Sequence, residues 1–249
     1  MVIDVRGQRY RLEGIIFDKD GTLIDFSHWG PLMAERARAL GERFGLNGEA
    51  ERELLAILGV DPATGHATST IHRPREETER LSASFLSATL GVSEGEVLQT
   101  VREIFAEVDR RFPWEKHLRP TPGARELLSR IKDAGGIVAV VTHDSTTPAR
   151  RHLLYAGLLE YVDLVVGADR FSARKPDPEG ILYACRLLDL PPSGTAMVGD
   201  SREDVEAGKA AGCSAVIGVL TGKGGVGDLE GADHIIPDLR GIRVSAPFR

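Results

Sequence analysis

Gly14-Ile15-Ile16-Phe17-Asp18-Lys19-Asp20-Gly21-Thr22-Leu23-Ile24-Asp25 is the stretch on which the reading of this chain turns. Four residues suited to a buried strand run directly into two carboxylates, then into Gly21 and Thr22. Ligands of open α/β sheets bind beyond the carboxyl ends of the strands, so an apolar run ending in charge marks a central parallel strand meeting a crevice. Asp18 and Asp20 are two apart, which places them on one side of an extended chain where they can share a substrate or a cation. Like charges held that close raise a pKa unless a cation or a shared proton intervenes, so the pair predicts a hard divalent metal or one protonated carboxyl. Taken alone, the same residues also make an ordinary turn and helix cap.

Outward from this stretch the chain changes character twice. Before it, Val2 to Val5 and Arg9 to Leu12 flank a turn at Arg6 to Gln8 and predict a short edge hairpin. After it, from Phe26 to about Arg119, helical periodicity replaces strand-like runs. Ser27 is expected to cap a helix through Phe44, with Leu32, Ala37, Leu40 and Phe44 on one face. Further helices are expected over Glu49 to Leu58, from Pro74 to Leu90, and from a Ser93/Glu96 capping box to about Phe112. The insert, residues 26–119, reads as a small helical bundle.

From Thr121 onward, strands separated by single helices read as βαβ units. The strand stretches are IVAVVTHD, Val162 to Val166, TAMVGD, SAVIGVL and a final HIIP. The expected fold class is α/β: a doubly wound, Rossmann-like parallel sheet built from residues 1–25 and 120–249, with the helical insert after its first core strand. Strand ends carry polar clusters. Thr142, His143 and Asp144 offer a hydroxyl and the opening amides of a helix, an anion seat. Lys175 stands in a loop between prolines and offers a point charge suited to phosphate. Gly199 permits a tight turn before Asp200, and Asp204 lies one helical turn further on. Each cluster has a structural reading, as an N-cap, a solvated lysine or first-turn charges, but their succession at the ends of strands favours chemistry.

Bulk properties narrow the partners. The 249 residues carry a net charge of −6 with Lys and Arg dispersed, which argues against a nucleic-acid surface. The two cysteines, Cys185 and Cys213, have neither zinc nor disulfide-framework spacing. No window approaches the roughly 20 apolar residues a bilayer span requires, so a cytoplasmic protein without membrane partners is expected.

Together, DKDGTLID, VVTHD, RKPDP and VGDSREDVEAG resemble the four motifs of the haloacid dehalogenase superfamily in its phosphatase branch. The helical insert is similar to that family's first type of cap, as in phosphoglycolate phosphatase-like and β-phosphoglucomutase-like members. The resemblance implies that Asp18 is the nucleophile, forming an aspartyl phosphate, and that Asp20 is general acid toward the leaving alcohol and then base toward water. It further implies Mg²⁺ held by Asp18, the backbone carbonyl of Asp20 and Asp200, with Asp204 supporting a metal-bound water or Lys175. Phosphoryl oxygens would be held by Thr142, Lys175 and the amides near Gly21 and His143. Two departures stand out: His143 replaces the usual Asn, and Lys19 is unusual between the aspartates and is expected to point outward. Asp20 argues against carbon–halogen cleavage, because a departing halide needs no proton.

His28, Trp29, Arg36, His72 and Arg73 are the insert's candidates for choosing the substrate, a small phosphorylated metabolite with phosphoglycolate as first choice. A sugar phosphomutase and a non-catalytic phosphate sensor are the alternatives, and both monomer and homodimer fit the sequence.

Overall fold

In the computed structural model, which describes residues 1–245 apart from the side chains of Ser69 and His72, Val2–Val5 (β1) and Gln8–Arg11 (β2) form the expected hairpin. Gly14–Phe17 (β3) follows and is buried at all four positions. Five helices then succeed one another: Trp29–Phe44 (α1), Gly48–Ile57 (α2), Arg75–Leu90 (α3), Glu94–Arg111 (α4) and the short Trp114–His117 (α5). The chain continues as Ala124–Asp133 (α6), Ile137–Val141 (β4), Thr146–Tyr155 (α7), Leu164–Val166 (β5), Glu179–Leu187 (α8), Thr195–Gly199 (β6), Arg202–Ala211 (α9), Ala215–Val219 (β7), His234–Ile236 (β8) and Ile242–Ser245 (β9).

Two compact units result, one of residues Met1–Phe26 with Leu118–Arg249 and one of Ser27–His117. The first holds a six-stranded sheet in the order β5-β4-β3-β6-β7-β8, every neighbouring pair parallel, with β3 between β4 and β6. That central position explains the unbroken apolar run, since a strand flanked on both edges and covered on both faces has no solvent side. Ile16, Ala139, Val141, Met197 and Val216 of the sheet pack with Ile181 of α8 and Val205 and Ala207 of α9 in one core. On α6, Ala124, Leu127, Leu128 and Ile131 are buried, the spacing of a single helix face.

The second unit, the helical cap, is held by its own core. Val97, Val101, Phe105 and Val108 recur every three or four residues on the buried face of α4, and the first three share one core with Leu40 of α1, Leu54 of α2 and Ala83 and Leu86 of α3. Each fully buried Leu or Phe contributes about 1.5–3 kcal/mol against the conformational entropy of ordering the helices.

Local differences from the sequence reading have simple causes. α1 is preceded by His28 rather than Ser27, with no side-chain cap bond. Ser93 does precede α4 but makes no capping hydrogen bond, so the expected Ser93/Glu96 box is not formed; the reciprocal box occurs instead at Ser201 and Asp204 on α9. β9 was not foreseen: it pairs antiparallel with β1 and makes the hairpin a separate three-stranded sheet, β2-β1-β9. Among the described residues no helix is long and apolar enough to cross a membrane.

Candidate active site

The carboxyl ends of β3, β4 and β6 open side by side because of their register. Phe17 lies opposite both Val140 and Val198, and the Asp18 N–H extends the ladder by donating to the Val198 carbonyl at 2.9 Å. Asp18, Thr142 and Asp200 therefore leave the sheet within a residue or two of one another in register. Thr142 is held by its own N–H, which donates to Val166 O at 3.1 Å, and its hydroxyl accepts from the Asp144 amide at 3.2 Å.

Lys175, from the loop before α8, reaches into this end of the sheet. Its Nζ donates to Asp18 Oδ1 at 2.6 Å, to Asp204 Oδ1, and to the Val141 carbonyl at 3.3 Å, using all three of its protons. Asp204 is fixed from its other side, its Oδ2 accepting from the Ser201 amide at 3.1 Å and the Ser201 hydroxyl at 2.6 Å. Asp200 accepts from the Thr22 hydroxyl at 3.2 Å and from the Lys223 amide at 3.0 Å. Oxygens of Asp18, Asp200 and Asp204 lie within 4.8 Å of one another.

Glycines make room for these carboxylates. A Cβ on Gly222 would fall 1.8 Å from Asp200 Oδ2, and one on Gly199 would fall 2.2 Å from the Asp204 Cβ. Gly21, at φ +85°, turns the chain back beneath Asp200, and its own N–H donates to Ile24 O at 2.6 Å. That amide is thus engaged in the turn, which leaves any anion contact here to neighbouring amides.

Burial dominates the electrostatics. It pushes the Asp18 carboxyl up to about 8 even against the pull of Lys175, with Asp204 and Asp200 adding to the rise. Burial, then Asp204, lifts Asp200 to about 7. Asp204 is instead held below the usual carboxylate range, because Lys175 and Ser201 outweigh its desolvation. For Lys175, burial alone would favour the neutral amine, yet Asp18 and Asp204 keep it a firmly charged ammonium. His143 is lowered to about 4 by desolvation and then Lys175, so at neutral pH its ring is uncharged.

The second aspartate has its own counter-ion, which corrects one expectation. Lys19 does not point outward: it is fully buried, bonded to Asp20 Oδ1 and 3.1 Å from Asp144 Oδ2. The repulsion anticipated between Asp18 and Asp20 is thus relieved by two separate ammonium groups, Lys175 for one and Lys19 for the other. The sequence marks Lys19 as unusual and Asp144 as part of the β4-end cluster, but neither their pairing nor His152 was singled out. The pairing's only signal was a cation inside an otherwise acidic motif, and that cannot reveal which partners it finds 125 or more residues away.

The cap candidates are placed within their own unit. Arg36 is buried, its Nε and Nη2 both donating to Asp109 Oδ1, at 3.2 and 2.7 Å, and its guanidinium lying 4.4 Å from the Phe105 ring centroid. Arg73 donates to Ile57 O at 3.1 Å and approaches Glu77. His28 is buried and stacks on Trp29 with ring centroids 5.1 Å apart. The His72 side chain lies outside the described residues.

Comparisons with known proteins agree with this geometry. A family model for haloacid dehalogenase-like hydrolases matches residues 12–212. A Neisseria meningitidis serogroup A protein named phosphoglycolate phosphatase is 30% identical over 229 residues, covering 91% of this chain and 88% of its own. A Haemophilus somnus 129pt crystal structure, described there as that of a phosphoglycolate phosphatase by prediction, superposes with a TM-score of 0.70 at 23% identity over 92% of this chain and 95% of its own. A Thermotoga maritima structure, whose name proposes a β-phosphoglucomutase, superposes with a TM-score of 0.64 at 27% identity over 90% and 94%. With a parallel core, an inserted helical cap and an acidic strand-end site in place, the chain belongs to the haloacid dehalogenase-like hydrolase family.

Proposed function

We propose that this protein is a Mg²⁺-dependent phosphatase that hydrolyses a small phosphorylated metabolite, phosphoglycolate-like, through an aspartyl phosphate on Asp18. The observation that carries the reading is the bridge from Lys175 to Asp18 and Asp204 beside Asp200, four residues from three sequence motifs meeting at one sheet end. Phosphoryl transfer depends on positioning and charge neutralisation, because negative charge spreads over three equatorial oxygens in the transition state.

The donor set fits a hard divalent cation: three buried carboxylates crowd within 4.8 Å, and two of them resist ionisation without one. Asp18 and Asp200, with the Asp20 backbone carbonyl, would hold Mg²⁺, which supplies Lewis-acid neutralisation of the phosphoryl group. Asp204 is committed to Lys175 and Ser201 and so supports the site from behind. In the first displacement the Asp18 carboxylate forms a bond to phosphorus while the ester oxygen departs with a proton from Asp20. In the second, Asp20 takes a proton from water as it attacks the same phosphorus, and the Asp18 oxygen–phosphorus bond breaks, regenerating the carboxylate and releasing phosphate. The Thr142 hydroxyl and the amides near Gly21 and His143 receive the phosphoryl oxygens, and the Lys175 ammonium, whose protons are shared among Asp18, Asp204 and the Val141 carbonyl, neutralises their charge.

Among the cap residues, His28, Trp29, His72 and Arg73 are the proposed specificity candidates, with Arg36 a weaker one because Asp109 occupies its fork. The similarity to a named phosphoglycolate phosphatase supports the substrate class. The Thermotoga likeness favours a second reading, a sugar phosphomutase that returns the phosphoryl group to its substrate. A screen of phosphorylated metabolites with Mg²⁺ tests both: phosphate release from an acidic two-carbon or three-carbon ester supports the first. Conversion of a hexose 1-phosphate to its 6-phosphate without net phosphate release would replace it with the second.

A further inference from the structure

Lys19 is a buried cation beside the sheet-end site that the proposed chemistry does not use. It is fully buried, which for a lysine requires that all three ammonium protons find acceptors. They do: Nζ bonds Asp20 Oδ1, lies 3.1 Å from Asp144 Oδ2 and 3.4 Å from His152 Nδ1. His152 Nδ1 is itself 3.7 Å from Asp144 Oδ2, so strand end, loop and the buried face of α7 close around one ammonium. For His152 Nδ1 to accept from Lys19, the ring must carry its proton on Nε2.

This arrangement separates the two restraints. Lys175, from the loop before α8, restrains Asp18 together with Asp204 and the Val141 carbonyl, whereas Lys19 restrains Asp20 through Asp144 and α7. An acid that must deliver a proton to a departing ester oxygen has to be held in one rotamer, because misplacement by about 1 Å costs on the order of 10²-fold in rate. We propose that Lys19 is a positioning residue for Asp20, anchored by Asp144 and His152, and that it acts on the proton-transfer half of the first displacement. The inference rests on the phosphatase reading above. In the step concerned, the Asp18 oxygen–phosphorus bond forms, the phosphorus–ester oxygen bond breaks, and the Asp20 proton passes to the released alkoxide.

The test is a leaving-group comparison of kcat/KM, which reports the first displacement. A nitrophenolate departs without a proton, whereas the alkoxide of phosphoglycolate needs one. Lys19→Met should therefore lower kcat/KM for phosphoglycolate more than for p-nitrophenyl phosphate, shifting the ratio of the two by about 10- to 100-fold, a part of the roughly 10²- to 10⁴-fold that a positioned acid supplies. Asp144→Asn, which preserves shape while weakening the anchor, should shift the ratio in the same direction by less, and Lys19→Arg should restore part of the loss. These two variants carry the test if Lys19→Met does not fold. Equal losses on both esters, or a ratio unmoved in all soluble variants, overturn the proposal while Asp18→Asn remains inactive on both. Retained turnover by Asp18→Asn would instead remove the phosphatase reading itself.

Discussion

Lys175 Nζ lies 2.6 Å from Asp18 Oδ1, although 157 residues separate the two in sequence. The contact joins the loop before α8 to the end of the central strand, and the same ammonium also binds Asp204 at the start of α9. One buried cation thereby fixes the position of two carboxylates and neutralises much of their charge in advance of a phosphate ester.

Removing that cation should harm both stability and turnover. Lys175→Met leaves two buried carboxylates without their partner, and breaking one side of a buried ion pair costs about 3–5 kcal/mol. Chemical denaturation is expected to show a loss of this order, and phosphate release from p-nitrophenyl phosphate should fall by at least about 10²-fold, as for loss of a transition-state charge stabiliser. A variant with full activity would exclude Lys175 from the phosphoryl seat.

Asp200 is held by the Thr22 hydroxyl and the Lys223 amide, and Gly222 clears its space. Asp200→Asn removes a proposed metal ligand, while Thr22→Val removes only its orienting hydrogen bond. Loss of such an outer contact typically weakens metal affinity about 10- to 100-fold. The Mg²⁺ concentration for half-maximal activity should rise by that much in Thr22→Val and further in Asp200→Asn. Gly222→Ala, whose Cβ would fall 1.8 Å from Asp200 Oδ2, should resemble Asp200→Asn. An unchanged Mg²⁺ requirement in all three would place the cation elsewhere.

The raised carboxyls predict a pH dependence of known sign. Without a cation, Asp18 titrates near about 8 and Asp200 near about 7 in the folded protein, against about 3.9 for an unfolded Asp. Between these values the folded form holds protons that the unfolded form has lost, so this contribution to stability declines as pH rises from about 4 to 8. A cation bound in their place competes with those protons. Thermal melting with chelator should show decreasing stability from pH 5 to 8, and the rise in Tm on adding Mg²⁺ should be larger at pH 8 than at pH 6. A shift independent of pH would mean that Asp18 and Asp200 do not titrate against the metal.

How much was legible beforehand differs by level. Gly14 to Phe17 announced a central strand because burial on both faces and both edges writes itself as continuous apolar sequence. Asp18, Thr142 and Asp200 stood out because each follows a strand signal, where parallel sheets place their chemistry, and Lys175 because it stands in a proline-bounded loop before a helix. Lys19 was misjudged because alternation along an extended strand gives direction only while the chain stays extended. Here the backbone leaves the strand after Phe17, and the amides of Leu23 and Ile24 fold back onto the Lys19 carbonyl at 2.9 Å. β9 was invisible for a related reason: Ile242–Ser245 is four residues long, and its partner β1 lies at the other end of the chain. Ser93 and Glu96 had the composition of a capping box, but composition does not decide which rotamers are adopted.

The central claim is that Asp18 takes the phosphoryl group. Acid-quenched mass spectrometry of Asp20→Asn mixed with Mg²⁺ and p-nitrophenyl phosphate tests it most directly, since this ester needs no acid to leave while the loss of the base slows hydrolysis of the intermediate. The expected result is one phosphoryl group on the peptide carrying Asp18, absent from Asp18→Asn. Phosphate release with no such adduct, or an adduct on another residue, would contradict the account.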